Sequence, residues 1–207
     1  TITLVLLSLR PEQWTKNLLV FAGALFGGRL LDPPALGFAL VTFAVFCALS
    51  GATYLLNDLA DRTADQRHPL KRLRPIAAGH VAPRTAAAAA IGLSTVALAA
   101  AFAVRPAVAG VGVAYVVLLA VYSLGLKHVV IVDALTIAAG FVLRAIAGAL
   151  AVGVPISQWL LVCTTLLALF LALSKRRHEL TLLADGATDH RRILHEYSPY
   201  LLDQMIA

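Results

Sequence analysis

Six runs of mostly apolar residues, each close to the length that crosses a bilayer, dominate this sequence. A helix needs about 20 such residues to span the hydrocarbon core. Inside lipid, only helices and closed barrels satisfy every backbone polar group. Because 60% of the residues are hydrophobic, far more than the core of a soluble domain requires, we predict an all-α, polytopic transmembrane helical bundle. The predicted spans are residues 17–31, 35–56, 85–104, 106–126, 129–152 and 158–174.

Lysine and arginine residues are distributed unequally between the two ends of such a bundle. Only Arg29 and Arg105 lie at one end, and Arg144 lies within a span. By the positive-inside rule, the cation-rich end faces the cytoplasm. The net charge of +6 then reflects orientation in the bilayer, and we expect no nucleic-acid partner. The cations at the cytoplasmic end are Arg10, Lys16, Arg62, Arg67, Lys71, Arg72, Arg74, Arg84, Lys127, Lys175, Arg176, Arg177, Arg191 and Arg192.

A cluster of oxygen-bearing side chains follows the second span, at Asn57, Asp58, Asp61 and Asp65. If the helix continues through them at about 100° per residue, all four fall within an arc of roughly 100° on one face. Such a face repels itself unless it holds a hard cation, and oxygen ligands suit Mg²⁺. We therefore predict a cytoplasmic metal and diphosphate loop over residues 57–84.

Cations follow these carboxylates closely, at Arg67, Lys71 and Arg74. A phosphate held by both a metal and cationic side chains is a coherent electrostatic unit. The alternative is a charge-balanced loop with no ligand, since short motifs are weak signals.

Other candidates lie at the cytoplasmic ends of the remaining spans, and membrane anchoring is the alternative for each cation among them. Asp133 and Arg144, inside the fifth span, are separated by roughly 16 Å of helical rise and cannot pair. Asp133 lies near the metal region, whereas Arg144 lies deeper, where a structural role is at least as plausible as substrate contact. Residues 175–207 form a second cytoplasmic loop region. The candidates for substrate or phosphate binding are Lys16, Asn17, Arg67, Lys71, Arg74, Tyr122, Lys127, Asp133, Lys175, Arg176 and Glu179.

The acidic cluster resembles the first aspartate-rich motif of the UbiA superfamily of intramembrane prenyltransferases. Five further motifs resemble one branch, the decaprenyl-phosphate phosphoribosyltransferases. They are Arg10-Pro11-x-Gln13-Trp14-x-Lys16-Asn17, Lys71-Arg72-x-Arg74-Pro75-Ile76-Ala77-Ala78-Gly79, Tyr122-Ser123-x-x-x-Lys127, Gly140-Phe141-x-Leu143-Arg144 and Lys175-Arg176-x-x-Glu179.

This resemblance implies transfer of 5-phosphoribose from phosphoribosyl diphosphate to a polyprenyl phosphate, with decaprenyl phosphate as the expected lipid. Asp58, Asp61 and Asp65 would hold Mg²⁺ with support from Asn57, and Asp58 and Asp61 would be the catalytic residues. The apolar spans would hold the isoprenoid. The resemblance also implies a multi-pass protein of a bacterial plasma membrane that feeds cell-wall arabinan synthesis. Isoprenoid length and homo-oligomer formation stay open. The alternatives are a prenyltransferase that alkylates an aromatic or tetrapyrrole acceptor and, from another class, a transporter.

Two departures from the family pattern concern the C-terminal part of the chain. The resemblance implies nine spans, but six are readable, so residues 1–207 are expected to be a single, C-terminally incomplete transmembrane domain. Relatives often carry a second acidic motif after the sixth span. Glu179 occupies that place here, whereas Asp185 and Asp189 come later and are separated by the helix-weakening Gly186. We favour Glu179 as the second acidic site.

Overall fold

The computed structural model describes residues 2–182 and 198–206, and these residues form helices without any strand. The predicted all-α bundle is confirmed. The α-helices are α1 (Ile2–Ser8), α2 (Ala22–Phe26), α3 (Pro33–Ala60), α4 (Arg62–Arg67), α5 (Pro83–Val104), α6 (Pro106–Leu124), α7 (Val132–Val152), α8 (Gln158–Leu182) and α9 (Pro199–Ile206). Three 3₁₀ helices cover Pro11–Phe21, Lys71–Leu73 and Leu126–His128.

Five of these helices, α3 and α5 to α8, are long and apolar enough to cross a membrane. They confirm the second to sixth predicted spans to within a few residues, except that α8 continues into the predicted second loop region. Proline begins α3, α5 and α6, where its fixed φ suits the first turn and its missing N–H removes no helical hydrogen bond.

The first predicted span, residues 17–31, is not one α-helix. Its residues belong to the 3₁₀ helix Pro11–Phe21 and the short α2, followed by an irregular connection. This segment packs so closely on α7 that a Cβ atom added at Gly148 would lie 1.8 Å from the carbonyl oxygen of Val20. Small residues allow such backbone contacts between membrane helices. The 3₁₀ helix and the short α2 occur together with this tight packing against α7. An apolar run alone does not specify that geometry.

Helices α3 and α7 form the centre of the bundle. In the most apolar 18-residue stretch of each of these helices, 56% is buried, whereas the corresponding share is 17% to 22% in α5, α6 and α8. The largest core cluster includes Phe46 and Leu49 of α3, Tyr115 of α6 and Val20 of the N-terminal 3₁₀ helix. The aliphatic side chains exposed on α5, α6 and α8 face outward, where lipid is as apolar as they are.

The two cytoplasmic regions predicted as loops, residues 57–84 and 175–207, both begin within a helix. Helix α3 extends to Ala60 and ends at Asp61, whose φ of −90° and ψ of 1° interrupt it before α4. The acidic residues therefore lie on two helices. The single continuous helix expected from their spacing is not present. In the second of these regions, α9 packs beside α8 through Leu202. A hydrogen bond from Arg177, reinforced by its charge, lowers the pKa of the exposed Asp203.

The close contact at Gly148 implies that a larger side chain at this position would destabilise the protein. Gly148→Ala should lower the stability of the detergent-solubilised protein by about 1–3 kcal/mol, because the new methyl group forces the N-terminal segment away from α7. Gly110→Ala is the matched control: a Cβ at Gly110 meets open space, and alanine favours helix by up to about 1 kcal/mol. Thermal unfolding midpoints would measure both, and an unchanged midpoint for Gly148→Ala would contradict the packing.

Candidate functional site

Asp58, in the last turn of α3, is the buried centre of the charged site. Arg10 donates a hydrogen bond from Nη2 to its Oδ1 at 2.5 Å, and Arg74 donates from Nη1 to the same oxygen at 3.2 Å. Arg10 adopts the left-handed conformation at the start of the 3₁₀ helix, with a φ of 54°, which is uncommon outside glycine. Its guanidinium carbon lies 4.7 Å from the centroid of the Tyr54 ring. The N-terminal segment is thus tied to the end of α3.

Asp65 of α4 converges on the same guanidinium as Asp58. Nη1 of Arg74 donates to Oδ2 of Asp65 at 2.7 Å, so one nitrogen lies within hydrogen-bonding distance of both buried carboxylates. The chain after α4 is held against the bundle by Ile76 and Val81, which are fully buried. Although the helix breaks at Asp61, tertiary structure brings Asp58 and Asp65 together.

Asp61 has a different partner from these two carboxylates. It forms a salt bridge with Lys127, which lies in the 3₁₀ helix between α6 and α7. Asn57 is partly buried next to Asp58 in α3. The predicted four-residue face is therefore divided: Asp58 and Asp65 meet at Arg74, and Asp61 faces the junction of α6 and α7.

Arg176 of α8 forms a second, deeper ion-pair group. Its Nε donates to Oδ2 of Asp133 at 2.9 Å and its Nη1 to Oε2 of Glu179 at 2.8 Å. Arg176 is 2% exposed and Asp133 is fully buried, and Tyr122 lies within electrostatic range of Arg176. Buried charges are normally paired. Arg176, which the sequence predicts to bind a phosphate, is paired here with two carboxylates and joins α7 to α8.

Asn17, which the sequence predicts to contact substrate, is hydrogen-bonded inside the bundle in this structure. It is fully buried, its Oδ1 accepts a hydrogen bond from Nε of Arg144 at 2.6 Å, and its Nδ2 donates to Ser50 at 3.3 Å. Arg144 also donates to the carbonyl of Gly140 and the hydroxyl of Tyr115, each at 2.7 Å. Of the two roles considered for Arg144, the structure shows the structural one.

The remaining candidate residues lie around these groups. Arg67 is exposed at the end of α4, and Lys71 is partly buried in the next 3₁₀ helix. Lys16 and Lys175 are exposed and lie within electrostatic range of each other. Asp185 and Asp189 lie outside the described residues.

Arg10 is a functional candidate that is not among the residues predicted from the sequence, although it begins one of the family motifs. The signal that could have identified it is its position immediately before the Pro11 that starts a helix near the membrane surface. Its contact with Asp58 joins residues 48 positions apart. No local pattern specifies such a pairing.

The carboxylates offer a limited set of metal ligands. Within residues 2–182 and 198–206, no group of three or more histidine, cysteine, aspartate or glutamate side chains is arranged to hold an ion. However, Asp58 and Asp65 both face the point occupied by the Arg74 nitrogen. A pair of carboxylates completed by substrate phosphates and water is a usual environment for Mg²⁺. The residues present therefore fit that ion when a phosphorylated ligand completes the site.

These features define the class of the protein: an α-helical integral membrane protein with a charged site at one end of its bundle. Residues 17–178 match the model of the UbiA prenyltransferase family, and the chain belongs to this family.

Two named relatives are similar in sequence to this protein over most of its chain. A decaprenyl-phosphate phosphoribosyltransferase of Corynebacterium glutamicum is 36% identical over 94% of the chain, and one of Mycolicibacterium smegmatis is 39% identical over 94%. The chain spans 60% and 63% of the lengths of these two relatives. The structure of a UbiA homolog from Archaeoglobus fulgidus bound to GPP and Mg²⁺ has the same fold, with a TM-score of 0.82 at 20% identity over 98% of this chain and 72% of that one.

The buried pairing of Asp133 generates a second stability prediction. Asp133→Asn should cost about 3 kcal/mol, because it removes a counter-charge from the buried Arg176. Asp203→Asn, which removes the exposed partner of Arg177, should leave stability unchanged within error. Denaturation of both variants in detergent micelles tests this contrast, and equal midpoints would show that the buried pair does not stabilise the contact between α7 and α8.

Proposed function

We propose that this protein transfers 5-phosphoribose from phosphoribosyl diphosphate to a polyprenyl phosphate, such as decaprenyl phosphate, and releases diphosphate. The observation that carries the proposal is the convergence of Asp58 and Asp65 on Arg74, with Arg10 alongside, at the end of a membrane bundle. The names of relatives 36% to 39% identical support this choice of substrates.

The donor diphosphate would bind at the acidic cluster. Asp58 and Asp65 would hold Mg²⁺, with Asp61 and Asn57 as further oxygen donors. Mg²⁺, when bound, supplies positive charge that neutralises the departing diphosphate. Arg10 and Arg74, which contact carboxylates in this structure, would donate charge-assisted hydrogen bonds to phosphate oxygens. Lys71 and Lys127 each lie on a short 3₁₀ helix and would add positive charge at the same end of the bundle.

The reaction requires little proton transfer from the protein. An oxygen of the lipid phosphate forms the new bond to C1 of the ribose, and the bond from C1 to diphosphate breaks with its electron pair going to diphosphate. Since the attacking oxygen already belongs to an anion, no strong general base is needed. The contribution of this chain is to bring the two phosphorylated substrates together and to stabilise the leaving charge with fixed cations.

The distribution of cations supports placing this site on the cytoplasmic side of a bacterial plasma membrane. Phosphoribosyl diphosphate is a soluble anion and would reach the site from that side. The lipid product would carry a phosphoribosyl group suited to the synthesis of cell-wall arabinan.

Removing single carboxylates should abolish turnover without unfolding the protein. Asp58→Asn and Asp61→Asn should each lower the rate of lipid-linked phosphoribose formation by about 100-fold or more, and chelation of Mg²⁺ should do the same. Asp32→Asn is the control, because Asp32 pairs with Arg29 at the opposite end of the bundle. The assay is mass spectrometry of lipid extracts after incubation with phosphoribosyl diphosphate and decaprenyl phosphate.

Two outcomes would overturn the proposal. Full activity in both variants would exclude the carboxylates from the reaction. Formation of a prenylated aromatic product from a prenyl diphosphate, with no phosphoribosyl lipid, would assign the protein to the alternative chemistry of the family.

A further inference from the structure

We infer that the phosphate of the lipid acceptor binds between Lys16 and Lys175, at the mouth of an apolar groove that receives the adjoining part of the isoprenoid. This inference rests on the proposed function, since it assigns one of the two substrates of that reaction to a place in the structure. It also separates the acceptor from the acidic cluster, where the sugar donor would bind.

The groove lies between the N-terminal 3₁₀ helix, α7 and α8 and has a volume of about 370 Å³. This is within the range of roughly 300–1,000 Å³ that is usual for small-molecule sites. Most of the side chains that line it are aliphatic or aromatic, and Lys16 is the charged one among them. The residues that define it for this argument are Lys16, Leu19, Phe141, Cys163, Leu167 and Leu171.

Positive charge accumulates at one end of the groove. Lys175 is exposed on α8, about one turn after the lining residue Leu171. Among the described residues, the charged groups that act most on Lys16 are all cations: Lys175, Arg144 and Arg10. Within the same part of the chain, no carboxylate forms a salt bridge with Lys16 or Lys175. Like charges gathered at an apolar surface favour an anionic ligand, and lysine binds phosphate as a compact point charge.

Arg144 adds to this positive field from behind the groove wall. Its guanidinium carbon is 5.3 Å from the ring centroid of Phe141, which lines the groove. Its three hydrogen bonds go to uncharged partners, namely Asn17, Gly140 and Tyr115. A buried charge is ordinarily compensated by an opposite one. An acceptor phosphate at the groove mouth would supply compensating charge without contacting Arg144.

The two proposed substrate sites are neighbours. Arg10 forms a hydrogen bond with Asp58 in the acidic cluster and also lies within electrostatic range of Lys16. The N-terminal 3₁₀ helix therefore connects them. A lipid held by Lys16 and Lys175 would have its phosphate beside the donor site and its apolar tail directed along α8.

A native thiol allows binding to be measured without turnover. Cys163 lines the groove and is exposed, whereas Cys47 is buried. In nanodiscs, decaprenyl phosphate at ten times its Kd should slow maleimide labelling of Cys163 about tenfold. Decaprenol should require a much higher concentration, and inorganic phosphate or phosphoribosyl diphosphate should give no protection. Cys163→Ser, which leaves only the buried thiol, identifies the labelled site.

Variants then test the lysines. Lys16→Gln and Lys175→Gln should each raise the decaprenyl phosphate concentration for half-protection, and its KM, about tenfold, because a hydrogen bond to a charged group is lost. The KM for phosphoribosyl diphosphate should not change. Lys16→Arg should restore most of the affinity. Arg84→Gln is the matched control, because Arg84 is an exposed cation on α5, which does not line the groove, and it should behave as the wild type.

Three results would overturn the acceptor site. The first is an unreactive Cys163 in ligand-free protein, since another segment or a second copy would then cover the groove. The second is equal protection by decaprenol and decaprenyl phosphate. The third is a lysine variant that changes the KM for the sugar donor instead of that for the lipid. Failure of the proposed function is distinguishable, because lipid protection of Cys163 does not depend on formation of a phosphoribosyl product.

Discussion

The buried guanidinium of Arg144 organises the arrangement of this protein. Inside a bilayer its N–H groups require acceptors within the protein. Each of its three nitrogens donates to one acceptor, and these acceptors lie on three different elements: Asn17, Gly140 and Tyr115. These hydrogen bonds join the N-terminal 3₁₀ helix to α6 and α7. Since Arg10 and Lys16 belong to the same N-terminal segment, their positions at the charged end depend on this interior contact.

The charged end itself is assembled by ion pairs between distant parts of the chain. Arg74 brings Asp58 and Asp65 together, Lys127 pairs with Asp61, and Arg176 joins α7 to α8 through Asp133. Most of these groups are partly or fully shielded from water, where charge pairs are screened less than at an open surface. Arg10, Arg74 and Lys127 stay partly accessible in these pairs, whereas Arg176 is almost completely buried.

How far the site could be predicted depends on the range of the interactions involved. Asp58 and Asp65 were expected to lie together on a continuous helix, and they do lie together, but because α4 and Arg74 bring them there after the helix breaks at Asp61. Asn17 illustrates the opposite outcome. Its polar side chain near a membrane boundary suggested a ligand, but its partner is Arg144, 127 positions away. Spacing along a sequence reports shared helix faces and carries no information about such partners.

The sequence by itself determined the solvent and the secondary structure, because apolar runs of bilayer length must become helices once water is absent. Its cation asymmetry predicted which end faces the cytoplasm, and its acidic motif indicated where a metal and a phosphorylated ligand would bind. Only the tertiary structure decided which cation meets which carboxylate, and which lysines stand at the mouth of an apolar groove. Those choices depend on contacts between segments that are distant in the chain, such as the close packing of Val20 against Gly148, and the energy of such contacts exists only after the helices have assembled.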